Sequence, residues 1–584
     1  MALRSGIMAE VRGSRFERRL GQVLVEGGFI TKEQLGQAEE QVKKDGKRLV
    51  SVLQERGWAS KDTLTTVLSF HLKVPVADPR QVEVNQDAVR LVSEETAQEY
   101  TILPLSLDRD GTLRVLMEDP GDFDTINRLA NLTGRQIRPV LPLGEGLKEL
   151  IRRNYGIGTK VEEAIERATQ APPAQRGGGR AMAVEAEPGM LAERDISQAP
   201  AAYAVDMITL QAIKGRASDI HMRPGKDSAR VLYRVDGVLQ DGPVVPLTLH
   251  EGMISRIKVL ANMNITETRR PQDGHFSMSF GERQVDFRVS TTPTTWGELM
   301  VIRALDRATS LKPLPELGMD GAALHTFRRI LQFPYGMILV SGPTGSGKTT
   351  TLYAALHELI DGRRNIITIE EPVEYRVDEI NQVEVNRLAG IDFATGLRSI
   401  LRLDPDIILV GEIRDAETAA MAVDSALTGH LVLSAIHANS AAASAARLIE
   451  MGVQPFLLAS SLVGVEAQRL ARKICEHCKV LREPSAAEAM AYEQLMQEAA
   501  EEFYVGEGCN LCGHTGFSGR VGIFEVLPVS EEIQRLIASG ATAGDIRNKA
   551  VEEGMIPLEK AGMLKVKAGE TTIAEVIRTT FSTL

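Results

Sequence analysis

Nowhere in the 584 residues do about 18 apolar residues follow one another, so the sequence offers no membrane-spanning helix of ordinary length. The opening stretch, MALRSGIMAEVRGSRFERRL, lacks the apolar segment of a secretory signal, and the chain is expected to remain in the cytosol. Basic residues are also in deficit: 67 Lys and Arg stand against 78 Asp and Glu, for a net charge of −11. That balance argues against a dedicated nucleic-acid binder, and no direct nucleic-acid partner is expected. Cysteine is scarcer still. The four present fall as two C-x-x-C pairs, which in a cytosolic chain points to metal ligation before disulfides.

What remains is ordinary globular composition, 43% hydrophobic and 25% charged, in a chain long enough for three or four domains. From Arg15 to Tyr155, amphipathic stretches such as Lys32 to Lys44 alternate with strand-like ones such as Thr112 to Met117, which predicts a compact α/β region. Within it, RLGQVLVEGGFITKEQL (Arg19 to Leu35) is echoed at constant offset by RLVSVLQERGWASKDTL (Arg48 to Leu64). Gly156 to Ser197 turns to Ala, Pro, Gly and Glu and reads as a flexible linker. Strand-rich, arginine-bearing sequence follows from Asp219 to Leu305, and then a Pro-containing connection leads into a second α/β region.

That second region carries the chemistry. Met337 to Ile360 reads as an apolar strand, a glycine-rich turn and a helix, with Gly342, Pro343, Thr344, Gly345, Ser346, Gly347, Lys348 and Thr349 matching G-x-x-x-x-G-K-[ST], and Thr350 next. Glycines let backbone N–H groups close around phosphates, the lysine neutralises the β- and γ-phosphates of ATP, and the Thr349 hydroxyl suits Mg²⁺. Asp404 to Asp415 is an apolar strand that delivers Glu412 to its C-terminal end, where ligands sit in open α/β sheets, so Glu412 is the candidate general base. Asn365 to Tyr375 is another such strand ending in Glu370, Glu371 and Glu374, suited to holding Mg²⁺ through water or positioning the nucleophile. Thr428 to Asn439 places His430 and His437 at the two ends of a further strand. Cys475, Cys478, Cys509 and Cys512 supply four thiolates at the spacing of a closed structural Zn²⁺ site.

These segments, in this order, resemble the type II secretion / type IV pilus assembly ATPase family, and the likeness runs from about Arg216 to the C-terminus through EAQRLARKICEHC and GRVGIFEVLPVS. The resemblance implies a multidomain α/β chain: a RecA-like P-loop ATPase core, a smaller α/β, PAS-like domain before it, an N-terminal α/β domain, and a zinc-binding tetracysteine insertion. The expected divisions are 1–155, the linker 156–197, 198–310, 311–470, 471–530 and a helical segment 531–584. By the same resemblance Gly342 to Thr349 is the Walker A loop, Glu370 to Glu374 the acidic box, Glu412 the Walker B glutamate, and His430 with His437 the histidine box. Arg288 and Arg303 occupy positions from which such proteins contact the triphosphate. Two departures show, Glu371 and Ser440, each where the family usually has Asp.

The resemblance further implies a homohexameric motor at the cytoplasmic face of the inner membrane, docked through a membrane platform protein and a cytoplasmic docking protein, that drives pilus assembly or secretion. The tetracysteine module favours assembly over retraction. An ATP-binding regulator with little turnover and the motor of a DNA-uptake pseudopilus are the alternatives. The N-terminal repeat resembles domains that bind cyclic di-GMP through paired R-L-G-x-x-L-V stretches, but Val42, Val50 and His71 replace the expected Gln, Gly and Gln. Lost polar partners weaken such a site, which favours a docking domain over weak cyclic di-GMP binding.

Overall fold

The computed structural model describes residues 15–155 and 200–580, apart from short breaks at 46–48, 61–62, 65–66, 69–73, 109, 144–145, 281–282, 307–311 and 320. The stretch expected as a linker, 156–197, lies outside the described residues, as do Arg48 and His71 of the second repeat. No helix among the described residues is long and apolar enough to cross a membrane.

The sequence repeat is also a structural one. The helix Arg15–Glu26 ends in a turn where Phe29 and Ile30 both donate to the Leu24 carbonyl, and after Leu49–Glu55 Trp58 and Ala59 do the same to Leu53. Thr31 and Ser60 then cap the next helical turns through Gln34 N and Thr63 N. Leu20, Leu24, Val52, Leu53, Leu64 and Leu68 form their common core. Beyond it lies a small sheet of β1 (Val76–Ala77), β2 (Ile102–Leu107), β3 (Leu113–Met117) and β4 (Ile137–Pro142), in the order β1-β4-β3-β2.

The next unit is a six-stranded antiparallel sheet: β5 (Ala217–Pro224), β6 (Ser228–Val235), β7 (Val238–Pro246), β8 (Gln272–Phe280), β9 (Arg283–Thr294) and β10 (Gly297–Asp306), ordered β7-β6-β5-β10-β9-β8. The helices Pro200–Lys214 and Leu247–Leu260 contribute to its core through Val205, Ile208, Met253 and Ile257.

The largest sheet has seven strands: β11 (Gly336–Ser341), β12 (Ile366–Glu370), β13 (Asn381–Glu384), β14 (Ile407–Glu412), β15 (Leu431–Ile436), β16 (Leu462–Ile474) and, after a two-stranded insertion of β17 (Lys479–Arg482) and β18 (Phe503–Gly506), β19 (Phe517–Pro528). Its order is β13-β12-β14-β15-β11-β16-β19, and every pairing is parallel except β16 with β19. Every residue of β11 and of β15 is buried, as expected of central strands covered on both faces. Two separate apolar clusters do the covering, one including the helices Gly321–Leu331 and Lys348–Leu359, the other the helices Phe393–Ile400, Ala416–Leu427 and Ala441–Glu450. Parallel strands with covered faces leave their C-terminal ends as the place where loops meet a ligand.

One contact has no counterpart in the sequence pattern. The tetracysteine insertion packs on the small N-terminal sheet, with Cys475, Cys478, Cys509 and Leu511 joining Leu103, Leu113, Val115 and Leu150 in one cluster. Asn510 Nδ2 donates to Val82 O at 2.8 Å, Asn510 N to Arg80 O at 3.2 Å, and Arg80 Nη1 to His477 O at 3.3 Å. Lys214 and Glu94, 2.6 Å apart, add an ion pair between the N-terminal unit and the six-stranded one.

Candidate active site

β11 delivers the chain into the glycine-rich loop at the C-terminal end of the sheet, and Lys348 opens the helix that follows, Lys348–Leu359. Gly347 precedes that helix at φ 92°, with no side-chain cap, so its first N–H groups face the loop. Gly342 is required for a second reason: at φ 152°, a Cβ there would lie 2.8 Å from the Gln468 carbonyl oxygen and 2.5 Å from Ser346 Oγ. Pro343, Thr344, Gly345 and Thr349 are exposed, Thr350 is half-buried, and Ser346 is buried with no hydrogen-bond partner for its Oγ. A buried, unmatched hydroxyl inside a cradle of backbone N–H groups fits a phosphate-bearing ligand. The Lys348 ammonium donates to the carbonyls of Gly342 (2.9 Å) and Pro343 (3.1 Å). Burial lowers its pKa, and the negative charge of Glu412 partly restores it.

Glu412 reaches this place through a β-bulge. β14 pairs with β15 in register up to Val410 and Ser434, then Glu412 pairs with Ala435 and Gly411 is the extra residue. A bulge re-aims the side chain that follows it. The Glu412 carboxylate lies 3.4 Å from His437 Nε2 and is hydrogen-bonded by Arg414, which also faces Glu371 at 3.5 Å. Glu371 is paired in turn with Arg387 at 3.0 Å. His430 does not join the group. It sits before the opposite end of β15, its Nδ1 2.9 Å from Ser425 O.

The remaining acidic residues divide sharply. Glu370 is 2% exposed, and its carboxylate accepts from Tyr353 Oη (2.6 Å), Thr368 Oγ1 (2.6 Å) and Gln382 Nε2 (3.3 Å). Burial pushes its pKa up against those three donors. Glu374 instead turns toward the six-stranded sheet, where Arg288 Nη1 donates to it at 2.8 Å. Arg303 is paired within its own sheet, to Asp219 at 3.0 Å. A cavity of about 480 Å³ adjoins the loop, lined by Gly342, Pro343, His437, Asn439 and Arg447 among others. Ser440 keeps one task an Asp there would have, capping the helix Ala441–Glu450 by accepting from Ala443 N at 3.2 Å.

The four cysteines converge at one point, their sulfurs within 4.8 Å of one another. Cys478 and Cys512 Sγ are 3.9 Å apart and Cys509 and Cys512 Sγ 3.8 Å. Four Zn–S bonds of about 2.3 Å in a tetrahedron set S···S edges of about 3.8 Å, so the donor set fits the ion. Backbone N–H groups of Gly508, Cys509 and Gly516 point at these sulfurs. Burial raises the Cys512 thiol, yet the donors from Cys509 and Gly516 bring it down to about 7.

Residues 195–578 match the family model described as type II/IV secretion system protein. Over 569 residues the chain is 38% identical to the type IV pilus assembly ATPase PilB of Myxococcus xanthus, covering 96% of this chain and 99% of the relative. The chain belongs to the type II secretion and type IV pilus assembly ATPase family. It is similarly 37% identical to the type II secretion system protein E of Xanthomonas campestris, over 97% of this chain and 98% of that one. Among solved structures, the ATPase DotB of Legionella pneumophila superposes over 64% of this chain and 93% of its own, at 20% identity and a TM-score of 0.49. Residues 72–160 of this secretion ATPase also match an MshEN domain, a span that begins after the Arg19 to Leu64 repeat. Several side chains of the site escape sequence reasoning. Arg414 stands two residues from Glu412 and had a signal in that spacing, whereas Tyr353, Gln382 and Arg387 reach the acidic box only through the fold.

Proposed function

We propose that this chain is a RecA-like, ring-forming motor that turns over ATP as a homohexamer and drives type IV pilus assembly or type II secretion through an inner-membrane platform protein. The observation that carries this is the convergence of Lys348, Glu412 and His437 at the C-terminal ends of β11, β14 and β15. Lys348 leaves the carbonyls of its own loop to pair with the β- and γ-phosphates, where the loop's N–H groups already point. Glu412 polarises the attacking water, and His437, 3.4 Å away, fixes the orientation of its carboxylate. When bound, Mg²⁺ would supply charge neutralisation to the phosphates, and Thr349, with Glu371 through water, would hold it; Glu370, enclosed by Tyr353, Thr368 and Gln382, is not free to do so and keeps a positioning role. Arg288 and Arg303 approach from the six-stranded sheet, and each has an acidic partner to exchange for phosphate oxygens as the two units close.

Zn²⁺ would be held by Cys475, Cys478, Cys509 and Cys512, and with four protein ligands it supplies stability to the fold and leaves no open position for reaction. The N-terminal unit serves as a docking domain for a cytoplasmic partner of the machine, which holds the motor peripheral to the membrane. Support comes from its intact apolar core and from Gln41, whose Oε1 accepts from Arg56 Nε (3.0 Å) and Nη2 (2.8 Å) and so is already engaged. The pairwise repetition of its turn hydrogen bonds favours weak cyclic di-GMP binding as a second reading; calorimetry on the full chain with cyclic di-GMP decides, and micromolar affinity lost in Arg19→Ala would establish it.

The test of the motor is turnover by the purified chain. Lys348→Ala is expected to abolish ATP hydrolysis with weakened nucleotide binding. Glu412→Gln should keep binding and lose about 10²–10⁴ in rate, the usual cost of a removed general base. Near-normal hydrolysis by Glu412→Gln would remove Glu412 from that role, and failure of a membrane platform protein to stimulate turnover would remove the coupling.

A further inference from the structure

We infer that Gln468 is a positioning residue for ATP, bracing the phosphate-binding loop from beneath. β16 runs parallel beside β11, pairing through Ser341 and Ala467, and Gln468 follows at the level where the loop begins. Its side chain is 2% exposed. Nε2 donates to the Ser346 carbonyl at 2.6 Å, and Oε1 accepts from Thr351 Oγ1 at 2.7 Å. The Ser346 carbonyl can only accept, so the amide's orientation is fixed by its partners.

The same residue shapes both ends of the loop. A Cβ on Gly342 would meet the Gln468 carbonyl oxygen, and a Cβ on Gly347 would lie 3.1 Å from Gln468 Nε2. The glycines of the motif are therefore needed here partly because Gln468 lies against them. Arg469 extends the brace, donating from Nη1 to Gln468 O at 3.0 Å and from Nη2 to Asn439 O at 2.8 Å, just past His437. One strand thus ties the loop to the segment that carries the histidine.

The chemistry explains why this matters with nucleotide bound. Lys348 closes the loop from above by donating to Gly342 and Pro343, and phosphates draw that ammonium away. Gln468 then keeps the Ser346 peptide and the first helical turn in place, so that the N–H groups are aligned before charge moves. Only an uncharged amide serves both contacts: a carboxylate would face the Ser346 carbonyl, and a hydrocarbon would leave both polar groups unmatched.

The inference rests on ATP being held at this loop, and Lys348→Ala run alongside separates the two: nucleotide binding unchanged in Lys348→Ala would sink the site itself, whatever Gln468 does. The decisive variants are Gln468→Met, which keeps the volume, and Thr351→Val, which keeps the shape, each made in the full chain. A fluorescent ADP reports Kd, steady-state hydrolysis gives KM and kcat, and melting is followed with and without saturating ADP. Gln468→Met is expected to raise Kd and KM about tenfold, Thr351→Val about threefold, and the double variant no more than Gln468→Met alone. The stabilisation by ADP should shrink in step, which a general packing defect would not produce. A folded Gln468→Met with wild-type Kd and KM overturns the inference, as do losses that multiply in the double variant. Should Gln468→Met fail to fold, Thr351→Val decides alone, and an unchanged Kd there overturns it equally.

Discussion

Consider the loss of one oxygen atom from Tyr353. Its hydroxyl donates to the Glu370 carboxylate at 2.6 Å inside a core where Glu370 is 2% exposed. Tyr353→Phe leaves Thr368 and Gln382 as that carboxylate's donors, and Gln382 keeps the Tyr375 carbonyl at 2.8 Å, so the cost falls almost wholly on Glu370. A hydrogen bond to a charged group contributes about 1.5–3 kcal/mol, and one to a neutral group about half as much. Burial already raises the folded-state pKa of Glu370, and removing a donor raises it further. A carboxyl that binds its proton more tightly when folded makes stability fall as pH rises, from the ordinary carboxyl range up through the raised pKa. Tyr353→Phe should therefore be mild at the acid end, where the carboxyl carries its proton, and cost about 2 kcal/mol above the raised pKa. For a unit of this size that is a drop of about 4–8 °C in melting temperature. The assay is melting of the full chain and the variant across this pH range. A difference that stays flat, or shrinks as pH rises, refutes the argument that the hydroxyl holds a buried anion.

Arg288→Ala removes the ion pair with Glu374 and a cation facing the site, so it should lower kcat by about tenfold or more while nucleotide binding by the P-loop persists; unchanged kcat would leave Arg288 a purely structural link. About one zinc per chain is expected by elemental analysis, and stripping it, or Cys475→Ser, should lower melting before it lowers basal hydrolysis; metal-free protein of full stability would refute the site. Because Leu511 and Asn510 bear on the N-terminal sheet, the same treatments should also raise hydrogen exchange at residues 80–84.

What the sequence disclosed and what it hid follow a physical line. Lys348 was legible from the glycine-rich loop between an apolar strand and a helix, and Glu412 and His437 because one ends and the other follows a short, largely apolar strand, a local pattern with a period and an end. The repeat that carries the turns after Leu24 and Leu53 was legible because its apolar pattern recurs at the same offset. Gln468 braces Ser346 from 122 residues away and Arg288 meets Glu374 from 86, and no local periodicity encodes such pairs. Glu370 is a different case. The sequence shows three glutamates in five residues, and only the fold distinguishes the one sealed among Tyr353, Thr368 and Gln382 from Glu371 and Glu374, which face arginines.

The seat of the N-terminal unit on the cysteine knuckle has a consequence for how the chain is made. Val82 meets Asn510 across 428 residues of sequence. At ordinary synthesis rates of about 5–20 residues per second, the N-terminal unit leaves the ribosome roughly 20–70 s before its seat exists. During that interval Leu103, Leu113 and Leu150 lack the neighbours that finally cover them, and nascent chains of this protein carry an unfinished apolar face for much of their synthesis.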